Sequence, residues 1–556
     1  MAHGIVPTAA PLAPSPALGL SGRFRRLRDR DRAAWLDRAA WTLLLATFLI
    51  ALLTFRHYGV TWDEPGLRQY GRLLVDWYAS GFSDARAFSF ANLRYYGGAF
   101  DITATLIEPL TPLGAYELRH LMGGLIGLLG LVLVWRLGRR LGGGRAGLLA
   151  CLILAALPGW WGHMFFNSKD IPFAVGMIAA IAVWCRILAE WPQPRRSSAL
   201  LLGLALGLTF GIRIGGIILF AYGAAPLLIW LLLEARERGP LPALRDLAAG
   251  LLALWPALPV AVPVLVLAWP WVALAPGNLL EAVGYLSHFP YDADTVFAGT
   301  RYPAEAVPAC YWPTLLGLQL TEIMLAGLIC AAWAGRSACA ADQGRRLGLV
   351  TLWVAALLPV AYAVLARPTA YNNVRHFIFV LPPLAVLAGL GLDRLLRRLR
   401  GAARAVAVLL VALGLALPAW RIVQLHPYEY VYFNDLSGGV AAARDRFELD
   451  YWGTSLGELG RQVAGRLAQQ QPAGFGLSPV PIRVCGPFET AQEVLPPGLL
   501  PVYHNAPARL ALALAIFFCV EPPPGSEVAS VERMGVVLSR AYVTPPERKI
   551  TSFTEH

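Results

Sequence analysis

Two adjacent carboxylates, Asp63 and Glu64, lie in the segment TWDEP just after the first long apolar stretch of the chain. A carboxylate in this position can act as a general base toward a hydroxyl group. The pair can instead help to hold a divalent cation against a phosphate. Thr61 and Glu64 also have the T-x-x-E spacing of a capping box, which opens a helix and leaves Asp63 free. The segment therefore allows a chemical and a structural interpretation together.

A second candidate is the short segment HMFFNSKDIP at 163–172, which lies between two apolar stretches. A lysine beside a carboxylate is costly at membrane depth unless it has a role. Lys169 can bind a phosphate oxygen, Asp170 can orient an acceptor or share a metal, and His163 is a further candidate substrate ligand. The alternative is that Asp170 caps the following helix, with Pro172 in its first turn, while Lys169 extends to the headgroups. For Asp170 alone, the cap is the favoured interpretation.

A third candidate is the segment YNNVRH at 371–376. Arg375 lies where membrane topology does not need positive charge, and its guanidinium can grip a lipid phosphate in bidentate fashion. Tyr371 and His376 are predicted to bind substrate beside it. The alternative for Arg375 is a general contact with lipid at the interface. Arg213 lies in an apolar hairpin, so it should face a polar cavity or a partner.

The loop 288–303 is a weaker candidate for holding an acceptor or a sugar, and the alternative is an ordinary structured loop. Neither a P-loop nor a dinucleotide-binding glycine motif occurs in a strand–helix context. A nucleotide-sugar donor bound by a Rossmann-type domain is therefore not expected.

The composition is that of a membrane protein. Of the 556 residues, 57% are hydrophobic and 15% are charged, with a mean hydropathy of +0.54, whereas soluble chains carry about 25% charged residues. The net charge of +12 comes largely from arginine clusters between apolar stretches, which is the arrangement of cytoplasmic loops. Basic and aromatic residues do not interleave as on a nucleic-acid surface. The expected partner is the lipid bilayer and not nucleic acid.

Apolar windows of about 17–25 residues predict about eleven membrane spans. They are 39–57, 118–137, 145–162, 171–190, 198–213, 215–234, 246–272, 313–335, 347–366, 375–393 and 402–420. With the N-terminus in the cytoplasm, all five loops on that side are rich in arginine, and the outer loops hold fewer basic residues for their length. The stretch 198–234 is predicted to be a helical hairpin broken near Arg213, Gly215 and Gly216.

The predicted fold class is an α-helical polytopic membrane protein with a small C-terminal periplasmic α/β domain. A basic cytoplasmic tail at 1–38 precedes a membrane domain at 39–420, and the periplasmic domain occupies 421–556. Two long outer loops, 58–117 and 273–312, interrupt the membrane domain. The first contains a pattern typical of a helix that lies in the interface plane.

The C-terminal region changes in composition after residue 420. A helix is predicted near 456–470, and short apolar runs predict strands at 481–485, 511–520 and 534–542. The seven cysteines show no metal-binding spacing. Cys485 and Cys519 can form a disulfide if this region is periplasmic, but the sequence leaves the pairing open.

The acidic pair after the first span, the multi-span body and the SKDIP loop at 168–172 resemble the GT-C glycosyltransferases. The most similar groups are the protein O-mannosyltransferases and the aminoarabinose-transferase-like bacterial proteins, over roughly residues 40–395. The segments HPYEYVYFN at 426–434 and DYWG at 450–453 look like the tail of bacterial members. The resemblance implies an inverting transfer of a sugar from a polyprenyl-phosphate donor to a hydroxyl acceptor at the periplasmic face of the inner membrane.

The resemblance also implies roles for individual residues. The catalytic outer-loop aspartate of the family matches Asp63, its neighbour matches Glu64, and the acidic residue of the second loop matches Asp170. Family members differ in metal dependence, so no cofactor is certain and a divalent metal stays possible, with Asp63 and Glu64 as its ligands. The sugar and the acceptor, whether glycan, lipid or protein, stay open.

Two other classes of protein fit parts of the pattern. A transporter or flippase of lipid-linked saccharides would carry ionisable residues at the bilayer midplane and paired half-repeats. This sequence instead concentrates its polar candidates in outer loops and shows no internal repeat. The other alternative is a non-catalytic membrane assembly protein whose periplasmic tail binds partners.

Overall fold

A computed structural model of the protein describes residues 20–334, 342–470, 479–514 and 526–544. In these residues a large helical body precedes a five-stranded sheet near the C-terminal end. The predicted fold class, a polytopic helical membrane protein with a small C-terminal α/β part, is confirmed. The proposed division at residues 38 and 420 stays a prediction.

The described elements are labelled in chain order. The helices of the body are α1 (Leu20–Thr54), α2 (Asp63–Ala79), α3 (Ala99–Ile107), α4 (Ala115–Gly142), α5 (Gly144–Ala155), α6 (Pro158–Phe166), α7 (Asp170–Glu190), α8 (Arg196–Phe210), α9 (Ile218–Arg238), α10 (Pro240–Leu252), α11 (Leu258–Ala268), α12 (Trp271–Leu274), α13 (Asn278–Ser287), α14 (Tyr311–Gln319), α15 (Glu322–Ala334), α16 (Gln343–Ala366), α17 (Leu381–Arg398) and α18 (Gly401–Leu425). The later helices are α19 (Gly439–Ala443), α20 (Leu456–Gln470) and α21 (Phe488–Val494). The strands are β1 (Asp294–Phe297), β2 (Thr300–Pro303), β3 (Val480–Cys485), β4 (Leu499–Val502), β5 (Leu510–Leu514), β6 (Glu527–Arg533) and β7 (Val536–Val543).

Eight helical segments in the described residues are long and apolar enough to cross a membrane, or up to ten if each of two bent helix pairs is one span. The bent pairs are α5 with α6, at 66°, and α14 with α15, at 113°. The remaining predicted span corresponds to α8, which has 15 residues, fewer than the ~20 that a bilayer-crossing helix needs. The count of eleven is therefore not confirmed. The break predicted near Arg213 is present, because a 3₁₀ turn at Ile214–Ile217 separates α8 from α9.

Arginine side chains join several helices at one end of the helical body. Arg145 at the start of α5 lies 2.5 Å from a carboxylate oxygen of Asp393, and Arg397 lies 2.6 Å from the other oxygen. Arg139 near the end of α4 pairs with Asp37 of α1 at 2.7 Å. These pairs lie in or beside the predicted cytoplasmic loops. The candidate residues Asp63, Lys169 and Arg375 come from the opposite ends of their helices or from the loops there.

The helix predicted in the first long loop is present as α2. Its buried side chains recur at helical spacing, and Tyr70, Leu74 and Trp77 pack in one cluster with Trp269 and Trp271. This apolar stripe holds α2 against Trp269, just before α12, and against Trp271 at the start of α12, as expected for an amphipathic helix. The position of Asp63 follows from it, because α2 begins at that residue.

The C-terminal part contains the predicted helix as α20 and strands at the predicted positions as β3, β5 and β7, although residues 515–520 of the strand predicted at 511–520 lie outside the described residues. The sheet order is β4-β3-β5-β7-β6, in which β3 is parallel to β4 and β5, while β7 is antiparallel to β5 and β6. The strands β4 and β6 were not predicted. Cys485 at the end of β3 is disulfide-bonded. Cys519 lies outside the described residues, so its pairing stays a prediction.

Candidate functional site

Two carboxylates from separate loops bracket the guanidinium of Arg375. Its Nη2 donates to Asp63 Oδ2, and its Nε lies 3.2 Å from Asp170 Oδ2. Asp63 opens α2, Asp170 opens α7, and Arg375 begins the 3₁₀ turn that leads into α17. The structure therefore brings together three residues that the sequence identified in three distant segments.

Two more cations complete the cluster. Lys169 Nζ lies 3.6 Å from Asp63 Oδ2, and Arg213 Nη2 lies 2.7 Å from Asp170 Oδ1. Both cations also lie over the ring of Tyr96, at 4.8 Å for Lys169 Nζ and 5.7 Å for the Arg213 guanidinium carbon. A cation over an aromatic face is attracted by the ring quadrupole, whose face is electron-rich. Arg213 thus faces a polar cluster, as expected from its apolar surroundings.

Asp170 does not cap its helix. The N-cap position of α7 is Lys169, without a side-chain cap hydrogen bond. The Asp170 carboxylate instead accepts from Asn167 Nδ2 at 2.9 Å, and Asn167 Oδ1 accepts from the Asp170 backbone N–H at 2.8 Å. The favoured capping interpretation is therefore wrong. Asn167 turns the chain so that the Asp170 carboxylate points toward the two arginines.

Glu64 lies apart from the Asp63 cluster. Its Oε2 accepts from the backbone N–H of Thr61 at 2.8 Å and from the Thr61 hydroxyl at 3.1 Å. Its Oε1 lies 3.1 Å from His120 Nε2. These are the contacts of the side chain that reaches back in a capping box. The structure thus places Glu64 in a buried structural position, and only Asp63 of the acidic pair meets the cations.

The electrostatics of the cluster leave one positive charge in excess, because three cations face two carboxylates. The side chain of Asp63 is 31% exposed, whereas those of Arg375 and Asp170 are 6% and 4% exposed. Burial opposes ionisation of Asp63, but the charges of Arg375 and Lys169 outweigh it and lower its pKa to about 2. Burial lowers the pKa of Lys169, although Asp63 opposes this effect. Asp63 is therefore an ionised, partly open carboxylate.

The other predicted substrate ligands lie around this cluster. His163 Nδ1 is 3.1 Å from Asn167 Nδ2, so it reaches Asp170 only through that amide. Tyr371 stacks on Tyr291 with ring centroids 3.8 Å apart, and the His376 ring lies 4.6 Å from Tyr371. The weaker candidate loop 288–303 therefore packs on the 371–376 segment.

Trp452 is a site residue that the sequence analysis missed. Its ring lies 4.6 Å from the guanidinium carbon of Arg375, and its backbone carbonyl accepts from the Trp62 N–H at 3.2 Å. One residue thus supports both Arg375 and the turn that carries Asp63. The DYWG segment was visible in the sequence, but nothing in its spacing indicated this contact with residues far away in the chain.

A shared metal site at Asp63 and Glu64 does not fit this geometry. Asp63 is paired with Arg375 and Lys169, while Glu64 is bound to Thr61. A divalent cation needs several oxygen ligands that converge on one point. Within the described part of the chain, no group of three or more His, Cys, Asp or Glu side chains is placed to hold a metal ion.

The sequence of residues 120–266 matches the family model described as dolichyl-phosphate-mannose-protein mannosyltransferase. This segment includes Lys169, Asp170 and Arg213 of the cluster. The resemblance to GT-C membrane glycosyltransferases that the sequence indicated is confirmed over this stretch. No curated protein matches the sequence.

Several solved structures are similar to the chain at low identity and with TM-scores under 0.5. ArnT from Cupriavidus metallidurans bound to undecaprenyl phosphate is 16% identical with a TM-score of 0.48, over 92% of this chain and 99% of that one. The apo oligosaccharyltransferase of Archaeoglobus fulgidus is 12% identical with a TM-score of 0.46, over 84% and 65%. Arabinofuranosyltransferase AftD from mycobacteria is 16% identical with a TM-score of 0.42, over 92% and 40%. At these scores the likenesses assign no function.

Proposed function

We propose that this protein is an inverting glycosyltransferase that moves a sugar from a polyprenyl-phosphate donor to a hydroxyl acceptor. The observation that carries the proposal is the partly exposed Asp63 carboxylate held against Arg375 and Lys169. The family match over residues 120–266 supports it, because the description of that family names dolichyl-phosphate-mannose, a sugar linked to a lipid phosphate.

The cations suit a phosphate ligand. Arg375 presents a planar fork that matches phosphate oxygens, and Lys169 adds a compact point charge. The cluster has one more cation than carboxylate. A phosphate diester carries a single negative charge, so it can bind without any residue of the cluster losing its charge. Arg213 keeps its contact with Asp170, while Arg375 also contacts the phosphate of the donor.

The carboxylate suits the role of general base. Within the described residues, the ion pairs of Asp63 involve Oδ2, which leaves Oδ1 able to accept a proton from a hydroxyl. A pKa near 2 keeps Asp63 ionised before the donor binds. Once Arg375 and Lys169 share their charge with a phosphate, the affinity of Asp63 for a proton rises. The base thus becomes stronger in the complex that needs it.

The reaction is then a single displacement. Asp63 takes the proton from the acceptor hydroxyl as its oxygen forms a bond to the anomeric carbon. The bond between that carbon and the phosphate oxygen breaks on the opposite face of the sugar, and the electron pair stays on the phosphate. Arg375 and Lys169 stabilise the charge that develops on the leaving phosphate.

We further propose that the site lies at the periplasmic face of a bacterial inner membrane. The arginine-rich loops at 136–145, 186–196 and 393–404 favour the cytoplasm for the other end of the body. The polar cluster lies at the ends of α7 and α17 and not at the middle of these helices. This position favours a transferase over a transporter, whose ionisable residues lie near the bilayer midplane.

The test is an assay of purified full-length protein in lipid nanodiscs with a panel of radiolabelled polyprenyl-phosphate sugars and a membrane extract as acceptor source. We expect label to pass to a new product while free polyprenyl phosphate is released. A parallel liposome assay measures movement of the same lipids between leaflets. Leaflet exchange with no cleavage of any donor would identify a transporter and contradict the proposal.

A further inference from the structure

A second polar site lies on the other side of the turn that carries Asp63. A cavity of about 720 Å³ is lined by residues 56–60 at the end of α1, by the first turns of α4 and by residues 426–428. Its remaining wall comes from α20, α21 and β6 of the C-terminal part. Ligand sites in proteins have volumes of about 300–1,000 Å³. The cavity therefore has the size of a small-molecule site between two parts of the chain.

The charges that line the cavity balance each other. Its charged side chains are Arg56, Arg461 and Arg533 together with Glu117, Glu458 and Glu493. Arg56 pairs with Glu117 at 3.3 Å, and Arg533 pairs with Glu458 at 2.8 Å. An anion or a cation would have to compete with these two pairs, and Arg461 and Glu493 add opposite charges, so the wall has no net charge. The walls consequently favour an uncharged ligand that can make many hydrogen bonds.

Histidines in the cavity wall are held in fixed orientations. His426 Nδ1 lies 2.8 Å from the buried carboxylate of Glu429, and its Nε2 lies 2.8 Å from His57 Nδ1. Both ring nitrogens of His426 are therefore engaged. His57 is exposed, and with its Nδ1 bound to His426 its Nε2 remains to form a hydrogen bond with a ligand hydroxyl. Tyr58 also donates to Glu429, at 3.0 Å, and keeps that carboxylate in place.

Tyrosine rings also contribute to the wall. Tyr116 and Tyr428 line the cavity. Tyr428 donates to Glu458 at 2.7 Å, and the Arg533 guanidinium carbon lies 4.8 Å from its ring centroid. Tyrosine rings combine an apolar face with a polar edge. The ring of Tyr428 is buried under Arg533, whereas that of Tyr116 is half-buried. The Tyr116 ring beside paired polar groups matches a sugar, whose C–H face stacks on a ring while its hydroxyls make hydrogen bonds.

The cavity adjoins the Asp63 turn directly. His120 lines the cavity, and its Nε2 lies 3.1 Å from the Glu64 carboxylate. Thr454 also lines it, two residues after Trp452, whose carbonyl accepts from Trp62. From this placement we propose that the cavity binds a neutral saccharide. Resting on the proposed function, this saccharide is part of the acceptor, so the acceptor is a glycan or a glycolipid.

Binding is tested by saturation-transfer-difference NMR on the purified full-length protein in nanodiscs. The probes are neutral methyl disaccharides, with glucuronic acid and methyl phosphate as charged comparisons. We expect transfer signals from neutral disaccharides and at least a tenfold loss of signal in His57→Ala combined with Tyr116→Ala. The matched control is His504→Ala combined with Tyr503→Ala, which alters exposed residues outside the cavity lining and should keep the signal.

The outcomes separate this inference from the proposed function. Absence of signal from every neutral disaccharide, an unchanged signal in the double variant, or a signal from methyl phosphate alone would overturn the saccharide site, even if sugar transfer takes place. Saccharide binding that needs His57 and Tyr116 would uphold the site, even if no donor is cleaved. Where transfer takes place, the double variant should raise the acceptor KM at least tenfold and leave the donor KM unchanged. An equal change in the two KM values would overturn the proposal that the cavity binds the acceptor.

Discussion

At the scale of single residues, two neighbouring carboxylates have different surroundings. Asp63 is paired with cations and partly exposed, whereas Glu64 is buried and bound to Thr61 and His120. The sequence predicted this division in part, because T-x-x-E spacing assigns Glu64 to a cap and leaves Asp63 free. It did not predict which cations meet Asp63. Those partners come from residues more than a hundred positions away, and local spacing does not encode such contacts.

Glu64→Gln should show whether Glu64 stabilises the fold or takes part in the reaction. The glutamine oxygen can still accept from the Thr61 backbone N–H, so we expect transfer activity close to that of the wild type. The loss of the charge-assisted contacts should lower stability by about 1 kcal/mol, measured as a fall in Tm in detergent. A loss of transfer as large as that of an Asp63 variant, with an unchanged Tm, would show that Glu64 takes part in the chemistry.

Arg375→Lys should weaken donor binding. A lysine keeps the charge but loses the fork that contacts Asp63 and Asp170 together. We expect a fall in kcat/KM of about 10–100-fold, with most of it in the donor KM. The matched control is Arg367→Lys, at an exposed arginine near the end of α16. Equal kinetics in the two variants would contradict a phosphate contact at Arg375.

At the scale of elements, the segment 447–455 makes contacts that connect the C-terminal part to the helical body. Trp452 contacts Arg375 and the backbone of Trp62, and Glu448 accepts from the backbone N–H of Asn372 at 2.8 Å. The sequence predicted α2 and α20 from their periodicity, since apolar spacing is a local signal. The role of 447–455 was not predictable, because this short irregular segment has no periodic pattern and acts through distant partners.

Glu448→Gln should stabilise the protein at alkaline pH. Burial raises the pKa of Glu448 to about 7, so the folded state holds a proton that the unfolded chain releases near pH 4.5. Stability is therefore lost as the pH rises from about 4.5 to 7, and it stays lower above that range.

A glutamine keeps an acceptor for the Asn372 N–H and has no charge to bury. We expect stability higher than that of the wild type by on the order of 1–3 kcal/mol at pH 8 and equal stability near pH 4.5. Thermal unfolding at both pH values measures this difference. The control Glu305→Gln, at an exposed residue, should show no such dependence. A Glu448→Gln curve parallel to that of the wild type across this range would contradict the expectation.

At the scale of the whole molecule, composition and charge bias were sufficient to predict a helical membrane protein. The number of spans was harder, because α5 with α6 and α14 with α15 are bent pairs and α8 is short. Hydropathy windows report apolar length and do not report bends. The two ends of the body nevertheless differ as predicted, with the Arg145–Asp393 contacts at one end and the Asp63 cluster at the other.

The proposed orientation of the helical body in the membrane predicts which introduced cysteines an external reagent can label. In a Cys310→Ser background, which removes an exposed cysteine, Ser83→Cys lies on the side of the Asp63 cluster and Ser197→Cys lies on the arginine-rich side. We expect a membrane-impermeant maleimide to label Ser83→Cys in spheroplasts and Ser197→Cys only after lysis. The reverse pattern would place the Asp63 cluster in the cytoplasm.

The most direct test of the central claim is sugar transfer by Asp63→Asn in reconstituted nanodiscs. The asparagine keeps the size of the side chain but cannot take a proton, so we expect kcat to fall by about 10²–10⁴-fold. Binding of undecaprenyl phosphate should be retained, because Arg375 and Lys169 remain. Asp76→Asn, at an exposed aspartate on the same helix, should transfer sugar at the wild-type rate. Full activity in Asp63→Asn would contradict the account.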